Sequence, residues 1–187
     1  MKKLVIILIS IFTMGYTHGQ NVNDFSLTDV KSQENTSLSD FGNRKGVVVI
    51  FTSNICPFSV YYEGRITQLV SDYSGDIQFL LINSYNDDKE SEEEMKNKII
   101  TWGINIPYLS DKSGVAMKAF GAKKSPEVFL LKPNGTGYSV FYKGAIDNNP
   151  QVASDVKEPY LKMNIENLIS GRGVAVPNTR PIGCMIK

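Results

Sequence analysis

The stretch Val47 to Tyr73, VVVIFTSNICPFSVYYEGRITQLVSDY, constrains the chain more tightly than any other. Val47-Val48-Val49-Ile50-Phe51 is an unbroken apolar run, the pattern of a strand buried on both faces and so of a central strand in a sheet covered by helices. A polar link, Thr52-Ser53-Asn54, leads to Ile55 and Cys56. Beyond the cysteine, Tyr62, Ile66, Leu69, Val70 and Tyr73 recur at i, i+4, i+7, i+8 and i+11, one face of a helix. Pro57 stands just inside the start of that helix, where its missing N–H costs nothing. A thiol is therefore predicted at a helix N-terminus, at the end of a central strand.

Little else in the chain competes for chemistry. Met1-Lys2-Lys3, the apolar run Leu4 to Met14 and the small-residue exit Thr17-His18-Gly19 read as a secretory signal peptide over residues 1–19. The run is short for a membrane span, and no cysteine stands at the exit for lipoprotein processing. The expectation is an exported protein, periplasmic or extracellular, with no membrane association after cleavage. Removing residues 1–19 takes away Lys2, Lys3 and His18, which leaves 18 of the 20 basic residues against 19 acidic ones. A net charge near −1 without a basic patch argues against nucleic acid as a partner. Without its single histidine the chain can form neither a Ser-His-Asp triad nor a Cys-His pair nor a histidine metal site. No metal or cofactor is expected.

At 187 residues and 42% hydrophobic content, one domain over residues 20–173 is predicted, followed by a tail, 174–187, that carries Cys184. Asn21 to Ser39 reads as a strand or hairpin with a polar turn at Asn35-Thr36-Ser37. Ile77 to Ile82 is a second buried strand. The acidic segment Asn86 to Glu94 lacks the glycine and spacing of a calcium loop. It reads instead as an acidic helix start, with Ser91 and Glu94 as a capping box. Met95, Ile99 and Trp102 form that helix's buried stripe. Pro107-Tyr108-Leu109 is extended, and Ala116, Met117 and Phe120 mark a short helix ended by Gly121. Val128 to Leu131 and Tyr138 to Tyr142 flank an Asn-Gly hairpin turn. A last helix carries Leu161, Ile165, Leu168 and Ile169. Such a helix-interleaved sheet closing in a hairpin is an α/β sandwich.

These residues carry a resemblance. A strand, then Cys56-Pro57-Phe58-Ser59 at a helix start, then Ser125-Pro126 before a hairpin, resembles the thioredoxin fold. FSLTDV and SLSDF ahead of GVVVIFTSNICPF resemble its redoxin branch, the alkyl hydroperoxide reductase and thiol-specific antioxidant superfamily. More narrowly, the chain is similar to bacterial peroxiredoxin-like proteins that share an N-x-C-P-F motif, an INSYND-like segment, SPEVFLL, a GAID-N loop and a VPNTRPIGCMIK-like tail. The resemblance implies a three-layer α/β sandwich with a central mixed sheet and helices on both faces. It also implies that Pro126 is cis and that its loop packs beside Cys56. Pro57, Phe58, Ser59, Ser125 and Pro126 would then line a substrate groove.

The chain departs from both branches of that family. Ser59 replaces the second cysteine of a C-x-x-C pair. Ser53 fits the peroxiredoxin Thr/Ser position three before the cysteine, but Val49 stands where peroxiredoxins have proline, and only Arg172 and Arg180 offer themselves as the arginine. The resemblance thus implies a thiol-disulfide oxidoreductase or thiol-dependent antioxidant with Cys56 as nucleophile. Its substrate would be a disulfide-bearing protein or a peroxide, and its electron donor an external thiol. A non-catalytic thioredoxin-like binding module is the alternative.

For Cys56 to ionise at neutral pH, a thiol pKa of ~8.5 must fall by about two units, roughly 2.7 kcal/mol of stabilisation. A helix N-terminus supplies ~0.3–1 kcal/mol, up to ~2 when partly buried. Ser53 and the cations Lys123 and Lys124 are candidate further supports for the thiolate. Ser59 could either bond the sulfur or cap the helix. Cys184, in an exported chain with an even cysteine count, could be a resolving partner on a mobile tail, a permanent structural bridge or a free thiol.

Overall fold

The computed structural model describes residues 20–186, so the expected signal peptide lies outside the described residues. The described residues form ten strands: β1 (Asn21–Val22), β2 (Ser26–Asp29), β3 (Asn35–Ser37), β4 (Gly46–Phe51), β5 (Ile77–Asn83), β6 (Tyr108–Ser110), β7 (Lys124–Ser125), β8 (Glu127–Pro133), β9 (Tyr138–Gly144) and β10 (Cys184–Met185). The helices are α1 (Pro57–Tyr73), α2 (Glu92–Trp102), α3 (Val115–Phe120) and α4 (Tyr160–Ile169). Eight strands form one mixed sheet in the order β1-β9-β8-β4-β5-β6-β2-β3, with β4–β5 and β5–β6 parallel and β4–β8 antiparallel.

β4 is the central strand its apolar run predicts: all six residues are buried. Side chains alternate across the sheet, so Val48 and Ile50, with Phe79, Leu81, Val128 and Leu130, face one layer while Val47, Val49 and Phe51, with Leu80, Ile82, Phe129 and Leu131, face the other. The first layer is closed by Tyr62, Ile66 and Leu69 of α1, Met95 and Ile99 of α2, and Leu161 and Ile165 of α4. The second is closed by Ala116 and Phe120 of α3 and by Phe25, Leu27 and Leu38 of the N-terminal segment. Phe120 meets Phe129 edge-on at 5.0 Å between ring centroids. Ile66 is wholly buried in the first layer. Removing one methylene there by Ile66→Val is expected to lower stability by about 0.5–1.5 kcal/mol, to be read from the urea midpoint.

Two local expectations change. Asn35-Thr36-Ser37 is not a turn but β3, paired with β2. The reversal comes earlier, where Asp29 accepts hydrogen bonds from the Lys31 N–H and the Ser32 hydroxyl and Gln33 adopts φ 62°. The segment after Pro107 is extended as expected, and forms β6, parallel to β5. α1 stops at Ser74 in right-handed geometry. The tail is ordered rather than mobile. Ala175 donates its N–H to Asn164 Oδ1 at 3.0 Å, and Thr179 exchanges hydrogen bonds with Lys143, Ala145 and Tyr142. Its end then forms β10 against β7. Polar tail residues satisfied by loop and strand-end groups leave no hydrophobic period for a sequence reading to detect.

Candidate active site: a helix-mouth cysteine bridged to the C-terminal tail

Cys56 is the N-cap residue of α1, in extended geometry, with Pro57 in the first turn and no acidic residue there. A helix start leaves its first N–H groups without intrahelical acceptors. Pro57 has none to offer, so Phe58 and Ser59 carry the donors that face the cysteine. Cys56 is buried, at 3% exposure.

The sulfur is bonded to Cys184 in a disulfide, with the two Cα atoms 6.1 Å apart and a sequence separation of 128. The tail reaches this position as a strand. Cys184 pairs with Ser125 and Met185 with Lys124 in antiparallel register, and Ile186 donates its N–H to the Lys123 carbonyl at 3.0 Å. The Ser125–Pro126 bond is cis, and Cys56 Sγ lies 3.3 Å from the Ser125 carbonyl oxygen. In the disulfide that is a contact, because the sulfur has no proton to donate.

Ser53 acts on the cysteine's backbone. Its hydroxyl accepts the Cys56 N–H at 2.9 Å and the Ile55 N–H at 3.2 Å, and donates to Glu90 Oε1. Glu90 is wholly buried. Its Oε2 also accepts the Asn54 N–H at 2.8 Å and the Asn83 side-chain amide at 2.7 Å. Lys112 sits behind it, donating to the Glu90 and Tyr85 carbonyls at 2.6 and 2.7 Å. Burial pushes the Lys112 ammonium below its ordinary value, opposed by the charges of Glu90, Glu92 and Asp111. Tyr85 shares a 2.6 Å hydrogen bond with the Ser125 hydroxyl and lies 3.5 Å from the Cys184 carbonyl. Burial pushes its phenol above the ordinary value, so it stays neutral at physiological pH. A cavity of about 430 Å³ opens beside the disulfide, lined by Ile55, Cys56, Tyr85, Asn86, Cys184 and Met185 among others.

Of the residues singled out in sequence, Cys56, Cys184, Pro57, Ser53, Ser125 and Pro126 converge, as the distances above describe. Phe58 packs edge-on against Tyr61, on the first turn of α1. Ser59 takes neither role foreseen for it: its hydroxyl is buried with no hydrogen-bond partner, neither capping the helix nor reaching the sulfur. Ser59→Ala is accordingly expected to leave the melting temperature unchanged or to raise it. Loss of a helix cap would instead lower stability by about 1 kcal/mol. Lys123 and Lys124 both donate backbone N–H groups to Glu127 Oε2, and the Lys124 ammonium binds the Gly183 carbonyl at 3.2 Å. Lys124 thus supports the tail rather than the sulfur. The arginines lie elsewhere: Arg172 bonds Asn167, and Arg180 lines a separate cavity with Tyr62, Asp147 and Thr179.

Sequence reasoning missed Tyr85, Glu90 and Lys112. Glu90 lies inside a run of solvated acidic residues and differs from them only in being folded under the loop. Tyr85 lies within the INSYND segment, the one signal that pointed there.

Comparison with known proteins agrees with this fold. The AhpC/TSA family matches residues 18–136. A hypothetical protein from Sinorhizobium meliloti 1021 is similar at 29% identity and a TM-score of 0.82, over 92% of this chain and 95% of that one. Peroxidoxin BcpB from Mycobacterium tuberculosis shares the fold at 17% identity and a TM-score of 0.62, over 83% and 98% of the two chains. A putative thiol:disulfide interchange protein DsbE from Chlorobium tepidum does so at 19% and 0.60, over 82% and 96%. No curated protein matches the chain. With the family matched over most of the sheet and over the cysteine loop, the chain belongs to the AhpC/TSA family.

Proposed function

We propose that this protein is a thiol-disulfide oxidoreductase that exchanges disulfides with a partner protein, with Cys56 as nucleophile and Cys184 as resolving cysteine. The observation that carries the reading is the Cys56–Cys184 bridge between a helix mouth and a paired tail strand. The reduced Cys56 thiolate attacks one sulfur of a partner disulfide, and the other partner sulfur leaves as thiolate. Cys184 then attacks Cys56 Sγ, forms the intramolecular disulfide and releases the partner's first sulfur as thiolate. An external dithiol restores both thiols.

Three features support each step. The helix N-terminus favours the Cys56 thiolate as attacking and leaving group. Ser53, held by Glu90, fixes the loop that carries it. The tail is anchored at Thr179, so Arg180 to Cys184 form a tether of about 17 Å at full extension, which keeps Cys184 at an effective concentration in the millimolar range. Disulfide exchange fits this site better than peroxide reduction, since no described arginine is hydrogen-bonded to the sulfur. A disulfide cycle also suits an exported protein in an oxidising compartment. None of the described helices is long and apolar enough to cross a membrane.

The test is turnover of a protein disulfide and of hydrogen peroxide with a dithiol donor. Disulfide reduction by wild type that is lost in Cys56→Ser supports the reading. Peroxide turnover alone would replace it, and partner binding without either reaction would favour a binding module.

A further inference from the structure

The tail meets its groove through one residue that admits no side chain. A Cβ on Gly183 would collide with the Ser125 carbonyl oxygen and stand 2.6 Å from its carbonyl carbon and 3.1 Å from Pro126 N. These are backbone atoms of the strand that Cys184 pairs with, so the neighbour cannot swing aside as a flexible side chain could. Gly183 has no positive φ among the glycines that do. Close approach therefore explains the glycine, not backbone conformation. The flanking residues are of the opposite kind. Ile182, Met185 and, across the cleft, Ile55 are about half exposed, at 52%, 53% and 51%. β7 is a two-residue edge whose described pairing is with β10. The tail therefore lies on this edge through the two-residue strand Cys184–Met185, with Gly183 at the bend that leads into it, and the sequence there reads apolar, glycine, cysteine, apolar.

We propose that the partner segment received along the Lys124–Ser125 side of the groove must carry a glycine directly before its reacting cysteine. The tail is the resident version of that ligand. This rests on the exchange reactions given above and names their substrate class. In the reduced protein, the last residues of the tail are held by the short β10 pairing, the Ile186 N–H bond to the Lys123 carbonyl, the buried Ile186 side chain and the Lys124–Gly183 contact, with no covalent tie to Cys56. Their release frees the Ser125 backbone for a partner strand. The partner cysteine takes the place of Cys184, forming a mixed disulfide with Cys56 while its former disulfide partner leaves as thiolate. The tail then returns: Cys184 attacks Cys56 Sγ, the partner's cysteine leaves as thiolate, and its strand is displaced from the same edge. Two electrons pass from the Cys56 and Cys184 thiols to the partner disulfide. The exposed Ile55, beside the cavity next to the disulfide, gives apolar flanks of the partner segment a surface that a peroxide or a small thiol would not use.

The experiment is single-turnover reaction of the reduced full-length protein with symmetric disulfides of two peptides. One reads Leu-Ile-Gly-Cys-Met-Ile, the other has alanine in place of the glycine, and oxidised glutathione serves as the small disulfide. The glycine peptide is expected to react at least tenfold faster than the alanine peptide, because a Cβ at that place cannot be accommodated without moving the Ser125 backbone. In parallel, Gly183→Ala is expected to accumulate the mixed disulfide with the glycine peptide and to close its Cys56–Cys184 bond at least tenfold more slowly than wild type. Equal rates for the two peptides, or wild-type closure by Gly183→Ala, would overturn the inference and leave disulfide exchange standing. No reaction with either peptide or with glutathione disulfide would overturn both.

Discussion

A Cys184→Ser variant is expected to take up one partner molecule per chain and then stall. Cys56 can still attack a disulfide in that variant, but nothing tethered is left to resolve the product. The mixed disulfide must then wait for a thiol from solution. Replacing an intramolecular attack by a bimolecular one is expected to lower turnover on the order of 10²-fold or more at micromolar to millimolar donor. Mass spectrometry under non-reducing conditions should show the adduct on Cys56. Cys56→Ser is expected to show neither adduct nor turnover, because the remaining thiol sits on a strand outside the helix mouth. The two variants together assign the order of events. An adduct on Cys184 in Cys56→Ser, at the wild-type rate, would reverse the assignment. Both variants also lose the bridge that ties residue 56 to residue 184, so their stability should be compared with that of reduced wild type, not of the oxidised protein.

Removing the buried carboxylate under the cysteine loop is expected to have the second large effect. Glu90 accepts hydrogen bonds from the Ser53 hydroxyl, the Asn54 N–H and the Asn83 amide, all in the interior behind Cys56. Glu90→Ala leaves these donors without their acceptor. Each unsatisfied buried group costs about 1–3 kcal/mol, and partial relaxation brings the expected total to about 3–5 kcal/mol. For a chain of this size that corresponds to a fall in melting temperature on the order of 10 °C. Glu90→Gln keeps the shape but turns an NH₂ group towards donors, so an intermediate loss is expected. The functional readout is separate: once Ser53 is no longer held, the Cys56 backbone loosens, and the reduced thiol should be alkylated at a changed rate even where the protein remains folded. A stability loss below about 1 kcal/mol in Glu90→Ala would show that the network contributes far less than its geometry implies.

The parts of this molecule that a sequence reading captures are those with a period or a punctuation mark. Val47 to Phe51 announce a strand buried on both faces, and the face Tyr62, Ile66 and Leu69 announces the helix that follows. Pro57 sets the helix start, and with these the position of Cys56 is settled to the residue. The sandwich follows from repeating the same reasoning at β5, α2, β8 and β9. What the sequence does not show is whatever depends on approach between distant polar segments. Glu90 resembles its solvated neighbours until β5 and α2 fold the loop beneath Asn54. Asn35 to Ser37 look like a turn because polar residues can pair on an edge strand as readily as they can reverse a chain. The tail offers no hydrophobic pattern. Its placement comes from Thr179 and Asn164 satisfying strand-end groups and from a glycine small enough to lie on the Ser125 carbonyl. Whether Cys56 pairs with Cys184 therefore stays open at the level of sequence, where a resolving partner, a structural bridge and a free thiol all fit. In the fold the pairing follows from an antiparallel register of two residues.

The central claim, that Cys56 and Cys184 form one reversible couple, is tested most directly by redox titration of the native protein in dithiol buffers, with thiol alkylation and intact mass as the readout. The account predicts that both thiols appear together at a single midpoint, above the roughly −300 mV that marks structural disulfides, with both labels mapping to Cys56 and Cys184. A bond that resists reduction until the protein unfolds, or a Cys56 that is alkylated in oxidised protein without any reductant, would contradict it.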